Sequence, residues 1–367
     1  MGYSTADERF THQFPRPFDE VHDDDGSWSD RCYFFVHSPD GSLLVTNGYG
    51  NNPNQRKAAG YGKVALTDGR HWDLTVGRPV TGADRDDLHA GPMRWTCVEP
   101  LRHWMIELGP NPTGIEWELH YEPRLPMWEL LPMHVEVGGH KILDMFHMKE
   151  SGRYTGWVQI DGERRSVDGW HGGRDRTFGV RVADEIDFWI WLDAGFDDCS
   201  VQAWLIEDHD GDVLYVDGGI TYADGTVSSR IVEIRHEISF DGDRKRPVAA
   251  DLTIVDADGR EHRLSGTSPH RDVGVYYGHP IPGFGVERYD GGGFLVHSAW
   301  SSAAADDLTV VEAQSMSIDQ LMRFELDGRD GHGIFELLTG GRSSARYPNW
   351  PAMDMAAFRQ PAARDAG

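Results

Sequence analysis

Polar and apolar residues alternate along most of the chain, in short segments separated by tight turns. Asp-Gly pairs punctuate this alternation at Asp40-Gly41, Asp68-Gly69, Asp161-Gly162 and Asp258-Gly259. Both central positions of a type I′ hairpin turn need a positive φ angle, which Asp and Gly tolerate better than most residues. The pattern therefore predicts a β-hairpin at each of these pairs.

The segments on either side of the pairs are the predicted hairpin strands: Cys32–His37 and Leu43–Asn47, Lys63–Leu66 and His71–Val76, Trp157–Ile160 and Arg164–Val167, Leu252–Val255 and Glu261–Leu264. The same alternation predicts further strands at Trp95–Val98, His103–Leu108, Ile115–Tyr121, Phe188–Leu192, Val201–Ile206, Ile231–Phe240, Val273–Tyr277, Phe294–Trp300 and Ile334–Leu338. Helical periodicity is confined to Asp144–Met148 and Ser317–Phe324. The chain is therefore expected to be mainly β, with antiparallel strands.

The length of the chain indicates more than one folded unit. It has 367 residues, whereas single domains cluster at about 100–200 residues. The hairpins at 154–167 and 250–264 share one layout, which is typical of two similar β units. We expect an N-terminal unit over 1–185, a C-terminal unit over 186–350 and a flexible tail over 351–367, which is rich in Ala, Pro and Asp.

Composition narrows the class of partner. The formal net charge of −25 disfavours nucleic acid, because such a surface repels phosphate groups. No apolar run approaches the roughly 20 residues that span a bilayer, and the opening MGYSTADERFTHQF has no apolar stretch typical of a secretory signal. Three scattered cysteines fit a reducing compartment. We expect a cytoplasmic protein without membrane insertion, and the composition leaves its oligomeric state open.

Motifs for metals and common cofactors are not found. The acidic segments Glu207–Asp212 and His22–Gly26 superficially resemble calcium loops, but they lack the bidentate Glu at the twelfth position and are typical of solvated turns. The sequence has no H-x-x-x-H helix pattern, no C-x-x-C pair, no G-x-S-x-G elbow and no G-x-x-x-x-G-K loop. It therefore predicts neither a metal site nor a cofactor.

The segment Trp170–Arg181, WHGGRDRTFGVR, differs from the other predicted strands. In a strand, His171 and Asp175 share one face, and Arg174 and Arg176 share the other. Charged residues inside a sheet need partners, because an unpaired buried charge costs several kcal/mol. One interpretation is a structural Arg–Asp–Arg ion network, which residue chemistry alone favours. The other is that Asp175 projects into an apolar cavity.

This segment resembles the signature of the lipocalin-like hydratase superfamily, which includes the bacterial carotenoid 1,2-hydratases. The family pattern H-D-H-N-W-G corresponds here to Arg174-Asp175-Arg176-Thr177-Phe178-Gly179, and the R-D-R-S-W-G branch is still more similar. GRYTGWVQIDGERRSVDGW before it and GHGIFELL near the end also resemble that branch. The resemblance implies two tandem lipocalin-like antiparallel β-barrels.

The same resemblance implies that Asp175 is the acid that protonates an isoprenoid double bond. The two motif His are Arg174 and Arg176 here, and two permanent positive charges sharing the environment of the acid would lower its pKa. That favours an ionised Asp175 that acts as a base or anchors a polar substrate group. Members of the superfamily also catalyse cyclisation and decalin-forming reactions, so the fold does not determine the reaction.

Polar residues within apolar strands of the second half are the remaining candidates. For a single residue of this kind, a hydrogen-bonded core position is the simpler explanation. Taken together they could line a pocket between the barrels: Trp189, Trp191, Tyr276, Tyr277, His297 and Glu336. The 13 Trp, 12 Tyr and 15 Phe of the chain agree with a well-filled core, an apolar cavity, or both.

The sequence thus predicts a cofactor-independent hydratase, dehydratase, isomerase or cyclase that acts on a hydrophobic isoprenoid, steroid or polyketide-like molecule. Asp175 is the expected acid or base, with His171 and Glu336 as further catalytic candidates. The expected substrate-binding residues are Arg174, Arg176, Trp189, Trp191, Tyr276 and His297. The alternatives are a non-catalytic carrier of hydrophobic small molecules, and a purely structural role for the Arg–Asp–Arg segment.

Overall fold

Antiparallel strands make up most of the protein. The computed structural model describes residues 2–10, 24–80, 87–278, 284–348 and 350. The predicted tail Pro351–Gly367 lies outside the described residues. Within them, no helix is of sufficient length and apolarity to traverse a bilayer.

The strands of the N-terminal half are β1 (Trp28–His37), β2 (Leu43–Asn52), β3 (Lys57–Leu66), β4 (Arg70–Pro79), β5 (His89–Ala90), β6 (Met93–Glu99), β7 (His103–Leu108), β8 (Glu116–Pro123), β9 (Trp128–Glu129), β10 (Met133–Val137), β11 (His140–Ile160), β12 (Glu163–Ser166) and β13 (Trp170–Arg181). Short 3₁₀ turns occur at Pro53–Gln55, Ala183–Glu185 and Asp290–Gly292.

The strands of the C-terminal half are β14 (Phe188–Phe196), β15 (Cys199–Glu207), β16 (Val213–Tyr222), β17 (Ile231–Phe240), β18 (Pro247–Asp256), β19 (Glu261–Thr267), β20 (Gly274–Gly278), β21 (Gly285–Tyr289), β22 (Gly293–Ser301), β23 (Ser315–Leu326) and β24 (Arg329–Leu338). One α-helix, α1 (Ala305–Ala313), precedes β23.

These strands form two barrel-like antiparallel sheets, which confirms the predicted fold class. The first sheet follows the order β21-β22-β4-β3-β2-β1-β13-β11-β8-β7-β6-β5, with β9, β10 and β12 also paired to β11. The second follows β16-β15-β14-β24-β23-β19-β18-β17, with β20 paired to β23. Each sheet surrounds its own apolar core, and a third cluster of buried side chains lies between the sheets.

One hairpin crosses between the halves. Strands β21 and β22 belong to the second half by sequence, yet β22 pairs with β4 of the first sheet, with Leu295 opposite Val76. The predicted division near residue 185 therefore separates the strands of the two sheets except for this hairpin. The exchange ties the barrels together through main-chain hydrogen bonds.

The four predicted hairpins are present, but their turns differ. At Asp161-Gly162 both residues have positive φ, 55° and 78°, as a type I′ turn requires. At the other pairs only the glycine has a positive φ, 71° at Gly41, 83° at Gly69 and 79° at Gly259. In these hairpins the loop geometry therefore needs a left-handed conformation at the glycine alone.

The two predicted helical segments are wrong. Asp144–Met148 lies within β11 and Ser317–Phe324 within β23, each hydrogen-bonded to neighbours on both sides. Helices of this length are marginal without packing support, so pairing along both strand edges outweighs a short helical pattern. The observed helix Ala305–Ala313 was not predicted.

Two residues ahead of the first strand, Glu8 and Phe10, pack into the first barrel. Phe10 joins its apolar cluster, and Glu8 is almost fully buried. The Arg174 guanidinium donates to both carboxylate oxygens of Glu8 at 2.8 and 2.9 Å and to Glu150 at 2.7 Å, while Trp104 Nε1 donates to Glu8 at 2.6 Å. The first barrel is thus filled by the chain's own N-terminal segment.

Arg176 lies on the same inner face of β13. Its guanidinium pairs with Asp30, donates to the backbone carbonyl oxygens of Asp7 and Arg9, and lies 3.9 Å from the centre of the Phe10 ring. The expectation that Arg174 and Arg176 bind substrate beside Asp175 is therefore corrected. Because successive residues of a strand face opposite sides, both arginines face the barrel core, and Asp175 does not.

Replacing Glu8 by Gln tests this anchor. The change leaves the buried Arg174 with Glu150 as its remaining carboxylate, and we expect the free energy of unfolding to fall by about 3 kcal/mol in urea titrations. Asp330→Asn is the control, since it breaks an exposed pair with Arg323 and should change stability by less than about 1 kcal/mol. Equal effects of the two substitutions would contradict the anchoring role of Glu8.

Candidate active site

Strand register places a row of polar side chains on the face of the first sheet opposite the barrel core. In this row each residue is the cross-strand neighbour of the next, from β11 through β13, β1, β2 and β3 to β4: Lys149, Asp175, Tyr33, Gly48, Tyr61 and Thr75. Residues that are directly opposite each other on neighbouring strands lie on the same face of a sheet, so these positions share one face.

A second row crosses the other sheet. Trp204, Trp191, Glu336 and Asp319 are successive cross-strand neighbours on β15, β14, β24 and β23. The Tyr33 hydroxyl on the first sheet donates to Asp319 Oδ2 on the second at 2.6 Å. The two rows therefore meet at the junction of the barrels.

A cavity of about 460 Å³ opens between the rows. Its lining includes Asp175, Glu336, Asp319, Trp189 and Trp191. Further lining residues carry hydroxyl or cationic groups: Tyr33, Tyr61, Tyr277, Arg31, Lys63 and Arg181. The cavity lies at the expected place, but its wall mixes aromatic rings with ionisable groups and is not purely apolar.

A glycine makes room in this wall. A Cβ atom at Gly48 would lie 2.8 Å from the Tyr61 ring and 2.9 Å from the carbonyl oxygen of Cys32. Both separations are too short for ordinary contact, so only glycine allows the Tyr61 ring to lie flat over β2.

Asp319 is held in position by two tyrosines. The hydroxyls of Tyr33 and Tyr277 each donate to its Oδ2 at 2.6 Å, and Thr46 lies 3.0 Å from the Tyr277 oxygen. Burial raises the pKa of Asp319 to about 6, and the two hydrogen bonds oppose this rise because they stabilise the carboxylate. At neutral pH this group is therefore mostly ionised.

Asp175 has no comparable hydrogen bonds among the described residues. The nearest partner group is His147, whose Nε2 lies 3.8 Å from Asp175 Oδ2. Burial raises the pKa of Asp175 to about 7, even though the charges of Arg181 and Lys149 lower it. The expectation of an acid ionised by Arg174 and Arg176 is wrong, because these arginines are paired with carboxylates inside the first barrel.

His147 is an uncharged support for Asp175. Burial is the main reason why its pKa lies well below the ordinary value. Trp191 Nε1 donates to its Nε2 at 3.3 Å, and its Nδ1 lies 2.6 Å from the Thr177 hydroxyl. With Nε2 accepting, the ring proton resides on Nδ1 and points at Thr177.

Glu336 and Lys149 complete the ionisable groups around Asp175. Burial, followed by the charge of Asp319, raises the pKa of Glu336 well above its usual range. Burial lowers the pKa of Lys149 to about 7. Its Nζ donates to the carbonyl oxygens of Leu192 and Ala203 and lies 3.4 Å from the centre of the Trp191 ring.

Four of the predicted site residues line the cavity, namely Asp175, Glu336, Trp189 and Trp191. His171 does not, because it lies four residues from Asp175 near the start of β13, opposite His37 and Arg153. Four strand residues span about 13 Å, which is too far for a shared reaction centre.

Tyr276 and His297 also lie outside the cavity wall. Tyr276 packs in the second barrel core, with its hydroxyl 3.5 Å from Glu312, while the next residue, Tyr277, faces the cavity. His297 lies on β22 between Gly285 and Leu74. Of the two neighbouring tyrosines considered for the pocket, Tyr277 lines the cavity and Tyr276 does not, because adjacent residues of a strand face opposite sides.

Sequence reasoning missed Tyr33, Tyr61, Asp319 and the cavity arginines. Asp319 had a recognisable signal, because it is a single carboxylate in the otherwise uncharged segment Ser315–Met322. The tyrosines carry no such signal, since Tyr is common in strands of any function. Among the described residues, no group of three or more His, Cys, Asp or Glu side chains is arranged to hold a metal ion.

A model of a protein family of unknown function, DUF8625, matches residues 3–347. The chain belongs to this family. No curated protein matches its sequence.

Two solved structures illustrate the similarity of fold. A protein named as an AttH candidate, from Nitrosomonas europaea, has a TM-score of 0.58 and 13% identity, with 86% of this chain and 93% of that chain covered. Kievitone hydratase from Nectria haematococca has a TM-score of 0.55 and 12% identity, with 85% of this chain and 88% of that chain covered. This chain shares its overall fold with both structures, and its two barrel-like sheets confirm the predicted tandem barrels.

The raised pKa of Asp175 predicts a pH-dependent stability. A carboxyl group with a folded-state pKa of about 7 binds its proton more tightly in the folded protein than in the unfolded chain. Its contribution to stability is therefore fully present only below a pH of about 4, the pKa of an aspartate in the unfolded chain, and is lost as the pH rises from there through 7. We expect Asp175→Asn to stabilise the protein, with an effect that grows by about 2–3 kcal/mol between pH 5 and pH 8.

Urea unfolding of both proteins at pH 5, 6, 7 and 8 measures this difference. Asp330→Asn, at an exposed position of β24, is the control and should show a constant offset from the parent protein. A pH-independent difference between Asp175→Asn and the parent would mean that Asp175 titrates normally.

Proposed function

We propose that this protein is a hydro-lyase that adds water to, or removes water from, a carbon–carbon double bond in an oxygenated hydrophobic substrate of isoprenoid or polyketide type. The substrate would bind in the junction cavity, and acid–base catalysis by the protein's own carboxyl groups would carry the reaction. The proposal depends chiefly on one observation: two buried carboxyl groups, Asp175 without a hydrogen-bond donor among the described residues and Asp319 held by two tyrosine hydroxyls, occupy opposite walls of one cavity.

Asp175 is the acid in this proposal. Its side chain is 13% exposed and has no hydrogen-bond donor among the described residues, so burial is not compensated. An acid works best when its pKa is near ambient pH, because protonated groups are then abundant and still transfer the proton readily. A pKa of about 7 meets this condition.

Asp319 is the base. The tyrosine hydrogen bonds occupy its Oδ2, and Oδ1 has no hydrogen-bond partner among the described residues. The group is ionised above a pKa of about 6 and is oriented by Tyr33 and Tyr277. Fixed hydrogen bonds of this kind hold a catalytic carboxylate in one position without further reorganisation.

In the hydration direction, protonated Asp175 gives its proton to one alkene carbon, and the electron pair of the double bond forms the new C–H bond. Water then forms a C–O bond at the neighbouring cationic carbon, and Asp319 takes the proton that the water loses. Dehydration is the reverse. The Trp191 ring borders the cavity and can stabilise a developing cation through its electron-rich face.

The structural neighbour named as a kievitone hydratase is consistent with this reaction class. At 12% identity the similarity concerns the fold, so the reaction is inferred from the side chains of the cavity. The closer resemblance to the R-D-R-S-W-G branch stays a prediction. A carrier of hydrophobic molecules shares the cavity but has no need for unpaired carboxyl groups, which cost stability.

Asp175→Asn should abolish turnover while ligand binding is retained. Removal of a general acid typically lowers the rate by a factor of about 10² to 10⁴, whereas Asn preserves the volume of Asp. The assay incubates protein with terpenoid and polyketide extracts and follows, by mass spectrometry, products that differ from substrates by one water. Asp330→Asn is the control and should have parental activity.

Three outcomes of this assay decide between the candidate roles. Loss of turnover with retained binding supports the acid. If ligands bind but the molecular masses of all extract components stay unchanged, the carrier is favoured. An Asp175→Asn protein that no longer folds would favour the structural role, and circular dichroism detects this case.

The pH dependence of the rate tests both groups at once. The proposed reaction needs Asp319 ionised and Asp175 protonated, so kcat should fall below a pH of about 6 and above a pH of about 7. In Asp319→Asn the remaining activity should lose the acidic limb and keep the alkaline limb. A rate that rises steadily from pH 5 to 9 would contradict this assignment.

A further inference from the structure

Two arginines of the junction cavity have no role in the reaction proposed above. Arg31 on β1 and Arg181 at the end of β13 both line the cavity together with Asp175. Neither guanidinium forms an ion pair or a side-chain hydrogen bond with any residue that the structure describes. Arg174 and Arg176 of the same sheet, in contrast, each form an ion pair with a buried carboxylate.

Local structure makes space for Arg31. It faces Gly50 on β2 and Thr177 on β13. A Cβ atom at Gly50 would lie 2.9 Å from Arg31 Cγ, so a side chain at Gly50 would displace the arginine from the β2 surface. The glycine thus allows the arginine to extend along the cavity wall.

No carboxyl group of this wall forms an ion pair with Arg31 or Arg181 among the described residues. Asp319 is ionised at neutral pH but accepts hydrogen bonds from Tyr33 and Tyr277, Lys63 is paired with Asp73, and burial favours the uncharged form of Glu336. Asp175 attracts the arginines but forms no ion pair with them within salt-bridge distance. Burial, followed by repulsion from Arg181, lowers the pKa of Arg31 to about 9. Two repelling cations persist here in a protein with a net charge of −25.

We propose that Arg31 and Arg181 form a carboxylate-binding subsite, so that the substrate of this cavity is a hydrophobic carboxylic acid. A guanidinium group presents parallel N–H donors that match the two oxygens of a carboxylate, and such charge-assisted hydrogen bonds are stronger than neutral ones. A bound carboxylate would also relieve the repulsion between the two arginines. The inference deepens the proposed function and takes from it the position of the reacting double bond near Asp175.

Matched ligand pairs test the subsite without turnover. The probes are benzoate and benzyl alcohol, cinnamate and cinnamyl alcohol, and retinoate and retinol, titrated at pH 7.5 against the fluorescence of the parent protein's tryptophans. Trp189 and Trp191 line the cavity and report its occupation. We expect the acid of at least one pair to bind about tenfold more tightly than its alcohol, the size of effect that a charge-assisted contact produces.

Substitutions test whether the preference for the acid over the alcohol depends on Arg31 and Arg181. In the double variant Arg31→Gln/Arg181→Gln the affinity for the acid should fall at least about tenfold, while affinity for the alcohol changes less than about twofold. Arg31→Lys should retain part of the preference, since it keeps the charge and loses the planar fork. Arg323→Gln, at an exposed position of β23, is the control and should bind like the parent protein.

Thermal unfolding adds a readout that a structural role would not produce. Because the arginines repel each other and have no partner in the described part of the chain, the double variant should unfold about 2–4 °C above the parent in the absence of ligand. A lower Tm of the double variant, a preference that survives in it, or the absence of acid preference in every pair would each overturn the subsite.

The subsite and the proposed function can fail separately. Asp175→Asn should keep the preference for the acid, because it retains both arginines. If this variant still prefers the acid, and the parent protein never changes the mass of a ligand, the subsite is supported and the hydro-lyase is refuted. Turnover of neutral substrates that is unaffected by the arginine substitutions would refute the subsite and support the hydro-lyase.

Discussion

Alternation of side chains along β13 is the constraint on which the rest of the site depends. Arg174 and Arg176 point into the first barrel, where Glu8, Glu150 and Asp30 neutralise them. Asp175, between them in sequence, points the other way into the junction cavity. Arg174 and Arg176 are therefore in the core of the first barrel, while Asp175 is in the cavity on the opposite face of the same strand. The strongly paired arginines hold the strand, while the unpaired acid retains a pKa that suits proton transfer.

Filling of the first barrel by the N-terminal segment has a functional consequence. Glu8 and Phe10 occupy the space around Arg174 and Arg176, so the barrel interior is a packed core. The open space lies instead between the sheets, where rows from both barrels meet through the hydrogen bond from Tyr33 to Asp319. A site between two rigid sheets combines groups from distant parts of the chain, and the β22–β4 pairing supports that arrangement.

The cavity concentrates groups that lower stability in the absence of a ligand. Asp175 and Glu336 are buried carboxyls with raised pKa values, and Arg31 and Arg181 are cations without partners among the described residues. Elsewhere in the described protein, buried charges such as Arg176 and Asp30 are paired. A concentration of unpaired ionisable groups in one cavity is typical of a site selected for chemistry at the expense of stability.

The sequence by itself determined the strands, the Asp-Gly hairpins and the faces of β13, because period-two alternation and turn chemistry are local properties. It also singled out Asp175, an acid among glycines and arginines in a strand. Only the tertiary structure decided the partners. Whether Arg174 lowers the pKa of Asp175 depends on Glu8, which is 166 residues away, and the pairing of Asp319 with Tyr33 spans 286 residues. Contacts between distant segments leave no periodic signal, so neither the protonation of Asp175 nor the polar wall of the cavity was evident before the sheets were brought together.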